Sequence, residues 1–216
     1  MYEGSACEVW LCSLDEAPSA SDLVTLSSEE LTRAGRFFQE QDKQRYLAAH
    51  VALRRLIGSK TGRPAATLEF LTGHLGKPHI DIKPSWYFNL SHSGNLALIA
   101  LSSQREVGVD IEVLSDSSDV NGMAEQHFSE NELLDWSELP QSQQAEAFYR
   151  IWTRKEACVK VTGWGLHLPL ATVDVGWEPL QHFVNVCLPD GVSENVAVQS
   201  FPVGAGSVGA VAWALA

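Results

Sequence analysis

The chain has 216 residues, 45% of them hydrophobic and 19% charged, and a formal net charge of −12. That length suits one large domain or two small ones, and the apolar share is ordinary for a packed core, which excludes wholesale disorder. The acidic balance argues against binding nucleic acid or an anionic membrane through the global field, so an anionic ligand needs a local basic cluster.

Cys7, Cys12, Cys158 and Cys187 form no Cys-x-x-Cys pair and have no histidine at zinc spacing, so buried reduced thiols are expected. No basic-plus-apolar leader opens the chain and no apolar run approaches membrane-spanning length. The expectation is a cytoplasmic protein that acts away from membranes.

Residues 7–14 alternate and predict a first strand. Residues 15–21, with Pro18, read as a loop. Ser27-Ser-Glu-Glu30 has the form of a helix start, with a serine cap and acids in the first turn. The pattern from 31 to 57 is helical almost throughout. Leu47, Val51, Leu53, Leu56 and Ile57 face a core, and Arg33, Arg36, Lys43, Arg45, Arg54 and Arg55 lie on the other side, with Lys60 following. Such a face is commonly just solvated, but it also has the charge a phosphate group requires.

A loop over 59–66 leads to a strand near 68–71. Gly73-His-Leu-Gly-Lys-Pro-His79 contains a tight turn at Gly76-Lys77-Pro78 that presents a lysine, and it lacks the Walker spacing. Residues 86–94 end a strand in a polar turn whose donors are Asn89, Ser91, His92 and Ser93. Ser91 and His92 are neighbours that point apart on extended backbone, and no Gly-x-Ser-x-Gly elbow is present, which favours binding over nucleophilic catalysis. An apolar strand occupies 95–101 and another 107–113. A polar loop over 114–122 precedes a helical segment from 124, and Ser129 with Glu132 predicts a capping box. Residues 141–144 read as a polar linker to a helix over 148–162 stopped by Gly163. Short strands are expected over 169–175, 184–188, 196–201 and 208–215, with an Asp190-Gly191 hairpin. The order strand, helix, strands occurs twice, with the break near 102–106. The fold class expected is therefore α+β, with pseudo-symmetric halves over 1–104 and 105–216 and a ligand cleft between them.

Asp110 and Glu112 are two apart on a strand and share a face. Glu156 and Lys160 are four apart on a helix and also share one. Two carboxylates in an apolar strand repel and are poorly solvated. Either a cation resolves this, with Glu156 as a third oxygen ligand for Mg²⁺ or Mn²⁺, or basic residues including Lys160 pair with the acids. Spacing leaves both open.

Gly108-Val-Asp-Ile-Glu112 followed by Trp152-Thr-Arg-Lys-Glu-Ala-Cys-Val-Lys160 closely resembles the signature of the 4′-phosphopantetheinyl transferases. Phe128-Ser-Glu-Asn-Glu132, Gly76-Lys-Pro78 and Phe88-Asn-Leu-Ser-His-Ser-Gly94 fit the same family in order. The likeness is to the larger monomeric type that activates peptide synthetases and other carrier proteins. It implies α/β halves with coenzyme A between them, and transfer of the phosphopantetheine arm to a carrier-protein serine with release of 3′,5′-adenosine bisphosphate. It implies Mg²⁺ on Asp110, Glu112 and Glu156, with Lys160 on the phosphates and Glu156 as candidate base. Arg33, Arg45, Lys77, Pro78, Ser91 and His92 would line the coenzyme A site, His92 near the 3′-phosphate. Glu30 departs from the pattern, since a lysine is common there. The carrier, acyl or peptidyl, is expected to dock near 113–128 through Met123 and Phe128. The alternatives are a metal-dependent nucleotide phosphohydrolase and a non-catalytic coenzyme A- or carrier-binding module.

Overall fold

The computed structural model describes residues 2–3, 7–73, 75–115, 119–178, 180–204 and 206–215, with backbone alone at 2, 3 and 166. The polar loop's residues 116–118 and His74 of the glycine-rich turn lie outside the described residues.

The first half opens with β1 (Tyr2–Glu3) and β2 (Glu8–Ser13). Three helices follow: α1 (Ala20–Leu23), α2 (Ser28–Ala34) and α3 (Glu40–Thr61). A short hairpin, β3 (Phe70–Thr72) and β4 (Pro78–Ile80), leads to β5 (Tyr87–Ser93) and β6 (Leu96–Ser102). The sheet order is β1-β2-β6-β5, antiparallel throughout. The second half runs β7 (Val107–Val113), α4 (Val120–His127), α5 (Glu130–Glu138), α6 (Gln141–Thr162), then β8 (His182–Cys187), β9 (Ser193–Pro202) and β10 (Ser207–Ala214). Its sheet order is β7-β10-β9-β8. In both sheets the strand before the helices pairs with the last strand, and the penultimate strand lies beyond it. That is the doubled α+β architecture the element order implied.

Central position explains the most apolar strand. β6 lies between β2 and β5, under Leu53 and Ile57 of α3, and its residues 97–102 are all buried. The other face meets the second sheet. Val9, Leu98 and Ala100 share one core with Val107, Val109, Ile111 and Val211. The halves are thus joined by apolar burial as well as by polar contacts. Helix α6 packs Phe148, Ile151 and Val159 on the opposite face of the second sheet.

Several expectations change. The long first helix is two, because the chain breaks at Gly35 and folds back with Phe37 packed 5.3 Å from Tyr46. The loop over 15–21 contains the start of α1, whose Ser19–Asp22 capping box is the same device read at Ser27 and Ser129. Residues 141–144 are the first turn of α6, which starts after Pro140 with no side-chain cap to mark it. The stretch 169–175 is a single 3₁₀ turn over Leu170–Thr172 and not a strand. The expected hairpin is present: the Leu188 amide donates to the Val192 carbonyl and Gly191 has φ +85°. Phe128 is buried and stacked 5.4 Å from Phe148, so it is no carrier anchor. Cys187 is exposed and Cys12 half-buried, so only Cys7 and Cys158 are the buried thiols expected, and burial pushes their pKa values to about 11 and about 12.

Gly108 sets the distance between β7 and α6. A Cβ there would stand 2.1 Å from the Ala157 carbonyl oxygen and 2.8 Å from the Val161 nitrogen, both backbone atoms. Gly108→Ala is expected to destabilise the fold by about 2 kcal/mol or more, through overpacking that only a shift of the helix relieves. Urea unfolding measures it, and a loss under about 0.5 kcal/mol would show the contact to be slack.

Candidate active site

The site is built across the seam between the sheets. Alternation on β5 sends Asn89, Ser91 and Ser93 to one face and Phe88, Leu90 and His92 to the other. Phe88 and Leu90 pack in the α3 core. The first set meets β7. Asn89 Oδ1 accepts the Val109 amide at 2.9 Å, and Ser91 Oγ donates to Asp110 Oδ1 at 2.7 Å. Ser93 Oγ donates to Glu112 Oε2 at 2.8 Å and accepts the Val113 amide at 3.1 Å. Polar side chains thus stand in for a backbone ladder between β5 and β7, which belong to separate sheets.

On β7, Gly108, Asp110 and Glu112 share one face by the same period of two, and Gly108 lies directly against α6. The close approach brings Lys160 Nζ to 2.6 Å from Asp110 Oδ1 and 3.3 Å from the Val109 carbonyl oxygen. Asp110 is 4% exposed, and its Oδ2 is buried without a hydrogen-bond partner. Burial raises the Glu112 pKa, with Asp110 adding to the shift while Ser93 and Lys160 oppose it. Burial also raises that of Glu156, Lys160 lowers it, and Asp110 and Glu112 raise it further. Three carboxylates therefore feel one another, and Lys160 pairs with Asp110 and not with Glu156, its helical neighbour.

The other expected residues fall into two places. His92 has an exposed side chain at the end of β5, yet partial burial of the ring lowers its pKa, helped by the charges of His50, Lys160 and Arg45 and opposed by Asp42. Arg45 lies on α3 with Asp42 3.8 Å away. Arg33 on α2 lies over the Tyr46 ring at 5.8 Å, and Tyr46 in turn packs at a tilt on His50, 4.1 Å between ring centres. Lys77 stands apart from the carboxylates. Its Nζ donates to Glu106 at 2.5 Å, to the Val107 carbonyl at 3.2 Å and to the Val161 carbonyl at 3.0 Å. That is a cation on the last carbonyls of α6, which the helix dipole favours, and it ties the first half's turn to the second half. Pro78 starts β4, opposite Thr72. Ser91 has its hydroxyl committed to Asp110.

Glu30, the departure from the family pattern, is a structural anion. It completes the α2 capping box, accepts from Arg54 Nε at 2.7 Å and lies 2.9 Å from His50 Nδ1. Arg54, expected on the solvated basic face, is 1% exposed and also donates to the Ala65 and Leu68 carbonyls. Burial works to raise the Glu30 pKa, but His50, the Ser27 amide and Arg54 lower it to about 2. A depressed acid stabilises the fold fully above its ordinary value of 4.5, and that contribution is lost as pH falls toward 2. The shift corresponds to on the order of 3 kcal/mol. Unfolding free energy measured at about pH 5 and about pH 3 should fall more steeply in the wild type than in Glu30→Gln, and equal slopes would remove Glu30 from the acid sensitivity.

Among the described residues, no three His, Cys, Asp or Glu side chains stand together as a metal-ligand set, and Lys160 pairs with Asp110. The donor chemistry still fits a hard divalent cation. Asp110 Oδ2 is a buried oxygen with nothing bonded to it, and Glu112 and Glu156 are acids whose ionisation is disfavoured until positive charge arrives.

Sequence reasoning missed the role of Ser93 and the partners His50 and Tyr46. It also passed over Lys155, which is 0% exposed and paired with Glu132 at 2.6 Å. Its signal was present, since Phe148, Ile151, Lys155 and Val159 fall on one helical stripe.

Two family models match the chain. One, described as 4′-phosphopantetheinyl transferase, N-terminal, covers residues 9–104, and the other, the 4′-phosphopantetheinyl transferase superfamily, covers 106–205. A putative 4′-phosphopantetheinyl transferase of Synechocystis sp. is 35% identical over 162 residues, 74% of this chain and 65% of that protein. The 4′-phosphopantetheinyl transferase HetI of Nostoc sp. is 35% identical over 178 residues, 80% of this chain and 75% of the relative. A 4′-phosphopantetheinyl transferase of Bacillus subtilis is 32% identical over 169 residues, 78% and 74% of the two chains.

Proposed function

The chain belongs to the 4′-phosphopantetheinyl transferase superfamily, and on that premise we propose that it moves the phosphopantetheine arm of coenzyme A onto a carrier-protein serine. The reaction proposed is Mg²⁺-dependent and releases 3′,5′-adenosine bisphosphate. The observation that carries this reading is the Asp110 carboxylate. It is buried in the seam between the halves, with one oxygen shared by Ser91 and Lys160 and the other unpartnered.

Asp110, Glu112 and Glu156 would hold the metal, which supplies charge neutralisation at the coenzyme A pyrophosphate. The chain's own groups do the remainder. Lys160 offers an ammonium to the phosphate oxygens as charge builds on the leaving group. The carrier serine oxygen forms a bond to the phosphorus next to the pantetheine arm. The bond from that phosphorus to the bridging oxygen breaks, and the adenosine bisphosphate leaves with the electron pair. The serine proton passes to Glu156, whose pKa burial raises, which makes its carboxylate a stronger base. His92, Arg45 and Arg33 would face the nucleotide end.

We also propose the division of labour at 1–104 and 105–216, nucleotide binding in the first and metal and carrier contact in the second. The meeting of the family models between 104 and 106 supports it. Met123, half-buried on α4, is retained as a carrier contact. No helix among the described residues is long and apolar enough to cross a membrane. Cytoplasmic, monomeric operation without nucleic acid belongs to the same proposal.

Intact mass of an apo acyl or peptidyl carrier after incubation with the chain, coenzyme A and Mg²⁺ is the direct test. A gain of one phosphopantetheine arm is expected. Adenosine bisphosphate released without carrier would make the chain a hydrolase instead. Glu156→Gln is expected to slow transfer by about 10²-fold or more, and undiminished turnover would take the base role away from Glu156.

A further inference from the structure

Both acids of β7 are held from the other half of the chain, and in the same way. Asp110 gives Oδ1 to the Ser91 hydroxyl of β5 and keeps Oδ2 without a partner. Glu112 gives Oε2 to the Ser93 hydroxyl at 2.8 Å, and its Oε1 has no hydrogen bond among the described residues. A divalent cation needs the free oxygen of each acid, held still by a partner on the other oxygen.

Glu112 is the acid that most needs holding. Asp110 is buried, and Lys160 grips it as well as Ser91. Glu112 is half-buried and has one more rotatable bond, and Ser93 is the one hydrogen-bond partner of its carboxylate among the described residues. Ser93 is itself fixed. Its Oγ accepts the Val113 amide at 3.1 Å, which occupies a lone pair and leaves its single proton for Glu112. It ends β5 opposite Leu96, and the next residue, Gly94, turns at φ +56° against Val113. A Cβ on Gly94 would stand 3.2 Å from Val113 Cγ2. The β5–β6 turn is thus seated on the end of β7, and hydroxyl and carboxylate keep a set relation.

We propose that Ser93 is a positioning residue whose hydroxyl, reaching across from the first half, fixes the Glu112 carboxylate so that Oε1 is presented to the divalent cation. This rests on the functional reading above, which gives the metal to Asp110, Glu112 and Glu156. Ser93 acts through Glu112 alone. The acids of the second half therefore bind metal at full strength only with the first half docked on them.

The test is Mn²⁺ binding to the whole chain with coenzyme A and without carrier. It is read from the loss of the free-ion paramagnetic resonance signal, with coenzyme A alone as the blank. Ser93→Ala is expected to weaken Mn²⁺ binding by about tenfold or more, the usual effect of removing a hydrogen-bond partner from a metal ligand. Ser93→Thr keeps the hydroxyl and should stay within about threefold of wild type. In a Glu112→Gln background, Ser93→Ala should cost less than about threefold further, because the ligand it positions is gone. A bond that merely closed the seam would lower unfolding free energy and cost the same in both backgrounds. In turnover, the Mg²⁺ needed for half-maximal transfer should rise in Ser93→Ala by a larger factor than the maximal rate falls. Should Ser93→Ala fail to fold, Ser93→Cys, similar in shape with a weak donor, is read in the same way. Undiminished Mn²⁺ affinity in that variant, a threonine variant as weak as the alanine one, or an equal loss in the Glu112→Gln background would overturn the proposal. So would a wild-type chain that binds no Mn²⁺. Mn²⁺ binding that depends on Ser93 in a chain that transfers no phosphopantetheine sinks the transferase reading alone. Transfer with Mn²⁺ affinity untouched by Ser93→Ala sinks the Ser93 role alone.

Discussion

Asp110→Asn is expected to lower phosphopantetheine transfer by about 10³-fold at saturating coenzyme A. The substitution keeps the shape and one carbonyl oxygen for the Ser91 hydroxyl, which now donates at 2.7 Å. It removes the charge that faces Lys160 at 2.6 Å, and it turns the unpartnered buried Oδ2 into an amide nitrogen or leaves it a neutral oxygen. A neutral group is a poor ligand for a hard divalent cation, and loss of one such electrostatic element typically costs 10²–10³ in rate. Raising Mg²⁺ should restore part of the activity, because Glu112 and Glu156 remain. Activity within threefold of wild type would exclude Asp110 from the reacting centre, whatever the fate of the fold.

Glu132→Ala is expected to cost about 3–5 kcal/mol of unfolding free energy, the usual penalty for leaving one partner of a buried ion pair alone. Lys155 is 0% exposed and pairs with Glu132 at 2.6 Å, while its Nζ also donates to the Leu170 carbonyl at 2.9 Å and to the Val173 carbonyl at 2.5 Å. Glu132 further accepts the Ser129 amide at 2.8 Å and the Val175 amide at 2.8 Å. One carboxylate thus holds the start of α5, the 170–175 segment and the middle of α6 together. Arg154 finishes the work on the next side of α6, donating to the Val175, Glu178 and Leu180 carbonyls. Chemical denaturation measures the loss. Glu132→Gln combined with Lys155→Met should recover a large part of it, since a neutral pair of similar volume leaves no charge buried without its partner and keeps an amide oxygen to accept a backbone N–H. A loss below about 1 kcal/mol for the alanine variant would show the pair to be relaxed by water. The pair also bears on function, because Glu156 and Lys160 project from the same helix that Lys155 anchors.

The sequence is informative about this protein where chemistry is local. Period-two alternation put Asp110 and Glu112 on one face, and the structure shows both on the α6 side of β7 with Gly108. Capping boxes at Ser27 and Ser129 are where the residue types required them. The α1 start at Ser19 was overlooked although it uses the same serine-and-acid pair. The start of α6 carries no cap, so no local feature marks it.

Partner choice depends on what packs against what, and there the sequence is silent. Arg54 lies on a helix face that reads as basic and solvated, yet α2 folds over it and supplies Glu30. Lys155 and Lys160 are neighbours on one helix with opposite fates, since one points into the core behind α5 and the other into the seam beside Asp110. The amino-acid order alone determined that two α+β halves carry three carboxylates and a lysine at particular spacings, because strand and helix periods are properties of the backbone. The tertiary structure alone decided that Lys160 pairs with Asp110, that Ser91 and Ser93 bridge the sheets, and that Glu30 orients His50. Those are contacts between segments far apart in the chain, and their energies depend on burial, which exists only once the halves have packed.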